Sequence, residues 1–230
     1  MSVLLLRLGA PLQSWGTSSR FARRGTDRMP SKSGVIGLLA AAQGRRRSDP
    51  MEELRGLQMA VRIEQPGRIE RDFQTASRPG ERTPVSVSTR YYLADAVFLV
   101  AVQGQDELLE DLQNALRRPY FPLYLGRRSC PPVGRVEHAL RPGTAIDALS
   151  IEPWQASPWF QSQWAAPTAT LELVGNCPPG TPGAELVRDE PASFDPRHRQ
   201  WEWRTVLRYP PVEVPNPCHT GDQHDPLAVL

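Results

Sequence analysis

Ser2 to Leu8 is apolar except for Ser2 and Arg7, long enough for one buried strand and stopped by Gly9 and Pro11. Gln13 to Ser31 is polar and basic, and Ser33 to Ala42 then reads as a helix capped by Ser33, with Gly34 and Gly37 inviting close backbone approach. Asp49-Pro50 predicts a second short helix, with Asp as N-cap and Pro at the first helical position. From Leu57 to Glu64, Met59, Val61 and Ile63 alternate with Ala60, Arg62 and Glu64, the period of a strand. Ile69 begins another extended stretch after the Pro66-Gly67 turn. Phe73 to Tyr92 has no core pattern and predicts a mobile hairpin or loop, turning at Pro79-Gly80. Tyr92 to Val102 is the strongest strand signal. Asp106 to Arg117 places Leu108, Leu109, Leu112 and Leu116 on one helical face, Pro119 to Pro122 ends it, and Val133 to His138 supplies a closing strand.

The resulting βαββαβ order is that of a ferredoxin-like fold, the architecture of RNA-recognition modules, within an α+β class. Pro142 to Ala166 reads as irregular although it carries Trp154, Trp159 and Trp164. Thr168 to Val174, Ala184 to Arg188 and Trp201 to Tyr209 predict three strands of a smaller, acidic sheet, and Pro210 to Leu230 a frayed tail. The expected division is an RNA-recognition-like domain over residues 1–141, with an insertion at about 73–92, and a smaller β-rich domain with its tail over 142–230.

A chain of 230 residues can bury roughly 70% of its unfolded surface, and 24 Pro with 17 Gly promise many loops and short elements. No stretch reaches the roughly 18 to 20 apolar residues of a membrane helix, and the opening run lacks the apolar length and cleavage site of a signal peptide. A soluble cytoplasmic protein is the expectation. Cys130, Cys177 and Cys218 are odd in number and never form C-x-x-C, which argues for reduced thiols. Charge is segregated: Met1 to Arg141 holds 21 Arg and Lys32 against 14 acids, whereas Pro142 to Leu230 holds 5 Arg against 11. Genomic base composition can produce the preference for Arg over Lys, but it explains the segregation less easily.

The basic segment sets Trp15 and Phe21 among Arg20, Arg23, Arg24, Arg28 and Lys32, a composition suited to neutralising phosphates and stacking unpaired bases. The competing reading is a solvated loop anchored by buried Trp15 and Phe21. Lys32 and Ser33 at a helix start also offer amides to a phosphate, without the spacing of a P-loop. The hairpin adds Arg78, Arg82, Arg90 and Tyr91. Gly126-Arg127-Arg128-Ser129-Cys130-Pro131 joins a tight turn to two arginines, either a clamp for a bent RNA backbone or a surface turn paired with acids; Cys130 reads as an idle thiol. Cys218-His219 with His224 has no recognised ligand spacing, so no metal and no cofactor are expected. A ribonuclease needs a base, an acid and a cation at one phosphate, and Tyr91, Tyr92, His138 and Lys32 have no spacing that selects them.

Three segments in order carry a resemblance: Leu6 to Gly16 (LRLGAPLQSWG), Pro30 to Leu39 (PSKSGVIGLL) and Tyr124 to Pro131 (YLGRRSCP). With Tyr92 to Ala96, Val187 to Pro191 and Phe194 to Arg204, they make the chain similar to the CasD family across nearly its whole length. This is the type I-E member of the fifth Cas family, a subunit of the Cascade complex of CRISPR immunity. The resemblance implies an RNA-recognition-like domain, a protruding β-hairpin thumb at 73–92 and a smaller C-terminal domain. It further implies a non-catalytic subunit that holds the 5′ handle of the crRNA, beside a backbone subunit and the large subunit that reads the PAM, with target DNA reached only indirectly. Trp15 to Lys32 and Arg127-Arg128 are the implied handle contacts. Type I-C relatives cut RNA with a Tyr and an adjacent Lys-His pair. Lys32 is the only lysine here and no such pair exists, which favours the binder over the alternative, a metal-independent endoribonuclease acting on CRISPR repeat RNA.

Overall fold

A computed structural model of the chain describes residues 2–17, 23–75 and 87–219. Its elements run β1 (Ser2–Gly9), β2 (Leu12–Gln13), β3 (Arg23–Arg24), α1 (Lys32–Ala42), α2 (Glu52–Arg55), β4 (Gln58–Gln65), β5 (Arg68–Gln74), β6 (Ser88–Ala94) and β7 (Val97–Gly104). After these come α3 (Asp106–Arg117), β8 (Glu137–Pro142), α4 (Ala145–Ile151), α5 (Pro158–Gln163), β9 (Thr168–Asn176), β10 (Glu185–Ser193) and β11 (Gln200–Pro215). The chain is mixed α/β, and its sheets are mostly antiparallel.

One sheet of seven strands has the order β10-β11-β9-β4-β7-β1-β8. The pleat of β1 divides its side chains between two cores: Leu4, Leu6 and Leu8 face α1 and α3, while Val3 and Leu5 join Ala145, Ala148 and Leu149 of α4 on the other face. Both faces of the central strands are therefore buried, which explains why their sequences are apolar almost throughout.

Several sequence expectations change. Ser31, not Ser33, caps α1, its hydroxyl accepting from the Gly34 amide at 3.3 Å. The second helix begins at Glu52 behind Met51 rather than at Asp49-Pro50, because the Asp49 carboxylate is occupied by the Arg46 amide at 2.6 Å. The Tyr92 to Val102 signal is two strands in two sheets, broken at Asp95, whose φ of 56° is left-handed. The closing strand lies at 137–142 rather than 133–138, and the supposedly irregular 142–166 contains α4 and α5. The expected smaller acidic sheet is continuous with the main one, since β9 pairs with β4 from Ala60↔Gly175 to Arg62↔Leu173.

Residues 210–215 belong to β11 and not to a tail. The register shift between Tyr209 and Val212 lets Pro210 and Pro211 pass without occupying ladder positions. Asn216 then closes the strand, its Nδ2 donating to the carbonyls of Gln161, Trp164 and Ala166. Residues 220–230 lie outside the described residues. Among the described residues no helix is long and apolar enough to cross a membrane.

Candidate nucleic-acid interface

A second, smaller sheet carries the hairpin. β5 pairs with β6 from Arg68↔Ala94 to Gln74↔Ser88, β2 pairs with the base of β6, and β3 lies parallel to its start. Gly67 makes the entry turn with φ 66°, where a Cβ would stand 2.4 Å from the Ala94 carbonyl oxygen. The tip of the hairpin, with Arg78 and Arg82, lies outside the described residues, as do Arg20 and Phe21.

Strand alternation sorts the hairpin residues. Ile69, Arg71 and Phe73 share one face with Tyr91 and Arg23; the Arg71 guanidinium lies 4.8 Å from the Phe73 ring centroid and that of Arg23 5.3 Å from Tyr91. Phe73 is 58% exposed. This face interleaves rings and guanidinium groups, the chemistry that stacks bases and neutralises phosphates. Arg90 and Tyr92 project to the other face, where Arg127 stacks 4.7 Å above the Tyr92 ring.

Arg127 is placed by a close backbone contact. Gly126 has φ 85°, and a Cβ there would stand 1.7 Å from the Ser14 carbonyl oxygen, so the 125–130 turn can dock on Ser14 only with glycine. The Arg127 Nη2 donates to the Arg24 carbonyl at 3.0 Å, which holds the basic loop beside the hairpin. Its Nη1, and the Nε of Arg90, are buried without hydrogen-bond partners among the described residues. Arg23, Arg24, Arg28 and Arg128 are exposed, and Ser33 and Tyr91 are half-buried.

Two sequence candidates are structural instead. Trp15 is 1% exposed, its indole donating to Gln13 Oε1 at 2.9 Å while Gln13 Nε2 bridges the carbonyls of Leu8 and Ala96. A ring so enclosed offers no face to a base. Lys32 is buried, its Nζ donating to Glu190 at 2.7 Å and to the Arg55 carbonyl at 3.1 Å. Burial pulls its ammonium below the ordinary range, against the opposing effect of Glu190. The free amide of Lys32 at the start of α1, the expected phosphate seat, is taken by Asp189 at 2.7 Å, and Arg204 holds that carboxylate from the far side at 2.5 Å. A bulge in β10 between Val187 and Glu190 lets consecutive acidic residues both reach this cluster.

The open sheet face that RNA-recognition modules use is also closed here. Val3, Leu5, Leu99 and Ala101 cover it, and α4 packs on them. The ribonuclease candidates are not brought together: Lys32 joins β10 at one edge of the main sheet, His138 pairs with Glu152 at 2.8 Å beside the opposite edge, and Tyr92 lies under Arg127. Cys130 is buried, and burial pushes its thiol up, away from reactivity.

A concavity of about 830 Å³ opens between α1, the 121–131 segment and the connection from β10 to β11. Its walls include Phe121, Tyr124, Phe194 and Trp201, and Arg45, Arg46, Arg47, Arg128 and Arg199 line its rim. Of the rim arginines, Arg128 alone belongs to a turn that the sequence marks as a candidate. Phe194, Arg199 and Trp201 are about 150 residues away from α1 along the chain and only the fold brings them there. Arg71 and Phe73 were likewise legible only once the hairpin register put them on one face.

Residues 3–207 match the family model described as CRISPR-associated protein (Cas_Cas5). The CRISPR system Cascade subunit CasD of Escherichia coli (strain K12) is 35% identical over 150 residues, 56% of this chain and 67% of that protein. A chain of a solved CRISPR RNA-guided surveillance complex superposes with a TM-score of 0.78 at 34% identity, covering 97% of this chain and 95% of the other. The crystal structure of a Cas protein gives 0.70 at 36%, covering 94% and 97%. The three motif segments, the paired hairpin and these matches lead to one conclusion: the chain belongs to the Cas5 family of CRISPR-associated proteins.

Proposed function

We propose that the chain is a type I-E Cascade subunit that grips the 5′ handle of the crRNA without cutting it and docks a backbone subunit and the large subunit. The observation that carries this reading is the exposed hairpin face on which Arg23, Tyr91, Arg71 and Phe73 interleave cations with rings. Such a surface suits single-stranded RNA, whose bases are free to stack. The unpartnered buried N–H groups of Arg90 and Arg127 on the opposite face add donors for a phosphate. The spatial order β8-β1-β7-β4, with α1 and α3 packed on one face, supports a ferredoxin-like core for the N-terminal part. Exposed Trp159, Trp164, Leu186 and Trp203, all in the acidic half, suit protein neighbours better than RNA.

The absence of cleavage is supported by the separation of Lys32, Tyr92 and His138. Incubating the chain, metal-free, with repeat RNA and with mature handle-bearing RNA tests both halves of the proposal on two gels. The expected outcome is handle-dependent binding of intact RNA, lost in an Arg127→Ala/Arg128→Ala double variant. Cutting of the repeat at a defined site would make the chain the processing enzyme instead.

A further inference from the structure

The hairpin leaves the main sheet through a break in the backbone ladder. The last pair on the main-sheet side is Gln65↔Val97, and the first on the hairpin side is Arg68↔Ala94. Among the described residues no ladder pair joins Pro66 and Gly67 on one leg to Asp95 and Ala96 on the other. Pro66 has no N–H to give, and Gly67 and Asp95, with φ of 66° and 56°, turn the chain through left-handed conformations. Side chains therefore decide how the two sheets stand to each other.

Two buried glutamines close this joint. Gln65 donates from its Nε2 to the Asp95 carbonyl across the gap. Gln13 takes the next carbonyl, that of Ala96, at 2.7 Å, but it also holds Leu8 and Trp15 in the core. Gln65 reaches outside the joint: its Oε1 accepts from the Ser157 amide at 3.2 Å. A carbonyl only accepts and an amide N–H only donates, so the position calls for a side chain with one donor and one acceptor. The segment that supplies the Ser157 amide is bound along the end of β4. There the Trp154 indole donates to the Glu64 carbonyl at 2.9 Å and the Gln155 amide to the Glu64 carboxylate at 2.7 Å. It then leads into α5 and exposed Trp159.

We infer that Gln65 is a positioning residue, which sets the angle of the hairpin for RNA by joining its hinge to the segment ahead of α5. This rests on the reading that the hairpin face binds RNA. Gln65 is buried, so it acts on RNA only through the fraction of molecules whose hairpin stands ready. Apparent affinity falls in proportion to that fraction, while the phosphates contacted in the bound state stay the same. Affinity and salt dependence consequently separate. Loss of a direct phosphate contact lowers the salt slope, whereas loss of positioning leaves it unchanged.

The test uses two variants of the full chain. Gln65→Met keeps the length of the side chain and removes both hydrogen bonds. Ser157→Pro removes the amide donor alone: Ser157 already has φ −66°, the value proline imposes, and its side chain does not cap α5. Pulsed electron paramagnetic resonance reads the distance between spin labels at Thr75→Cys, just beyond β5, and Glu110→Cys on the outer face of α3. The background is Cys177→Ser/Cys218→Ser, which leaves buried Cys130 in place. Fluorescence anisotropy reads the affinity for handle-bearing RNA across salt concentrations.

The expected result is one narrow distance in the wild type, a broadened distribution in both variants, and its narrowing again with saturating RNA. Affinity should fall by about 2- to 13-fold for each hydrogen bond lost, at an unchanged salt slope. Unchanged affinity in both variants overturns the proposal, whether or not the distances broaden, and so does a loss of affinity accompanied by a lower salt slope. An effect of Gln65→Met alone overturns the link to α5. Should Gln65→Met fail to fold, Ser157→Pro decides by itself. A wild type that binds no RNA sinks the RNA reading instead, and the distances then decide whether Gln65 sets the hairpin.

Discussion

Glu152 shows how single residues here are set by their neighbours. Burial pushes its carboxyl up, but hydrogen bonds from His138 and Arg141 outweigh that and hold it below the ordinary 4.5. Between the lowered value and 4.5 the unfolded chain binds more protons than the folded one, so stability rises with pH through this window. The contribution is complete above 4.5 and lost as pH falls through the folded value. Denaturant titrations of wild type and Glu152→Gln should therefore differ most at neutral pH and converge as pH falls through the folded value. An equal gap at pH 7 and pH 3 would dismiss the ion-pair account. At this same scale the sequence was least informative. Trp15 and Lys32 have the chemistry of RNA contacts, and composition cannot tell that Gln13 and Glu190 have already engaged them. Arg23, Arg71 and Arg127 became identifiable as a set once their rings were located.

Among elements, α4 depends on a partner from another strand. Arg62 of β4 is fully buried beside Glu64, at 2.6 Å, and its guanidinium donates to the carbonyls of Leu149, Glu152 and Pro153 at the end of α4. Removing it leaves three acceptors unpaired and the buried Glu64 carboxylate with the Gln155 amide, at 2.7 Å, as its remaining hydrogen-bond donor. Arg62→Met should cost about 3 to 5 kcal/mol in chemical denaturation. Arg62→Met/Glu64→Met should recover only part of that, because the carbonyls still lack donors. Full recovery would show that the charge pair alone matters. The leucine face of α3 was legible because one face of that helix is buried, and β4 because Met59, Val61 and Ile63 alternate along it, although Ala60, Arg62 and Glu64 on its other face are buried too. The strand breaks were not: Asp95 adopts a left-handed conformation without a glycine, and Pro210-Pro211 is absorbed by a bulge that no residue pattern announces.

Over the whole molecule, the charge is segregated along the chain, but the acidic strands do not form a separate sheet of their own. β9, β10 and β11 extend the main sheet, so the basic and acidic parts share one framework, and the buried Lys32–Asp189–Arg204–Glu190 cluster links them. A basic hairpin face on one part and exposed tryptophans on the other are the two surfaces that the proposed function assigns to RNA and to protein. The family motifs were readable because they build this framework. The concavity beside α1 was not, because its walls come from distant segments.

The central claim is that the hairpin face holds the handle through phosphates and stacked bases. Its most direct test is an anisotropy titration of handle-bearing RNA and a scrambled-handle control across salt concentrations, with wild type and Arg23→Ala/Arg71→Ala. The account expects tighter binding of the true handle, and a salt slope reduced by about 1.4 in the variant, at about 0.7 for each phosphate contact removed. Equal affinity for the two RNAs, or a salt slope that the double substitution leaves unchanged, would contradict it.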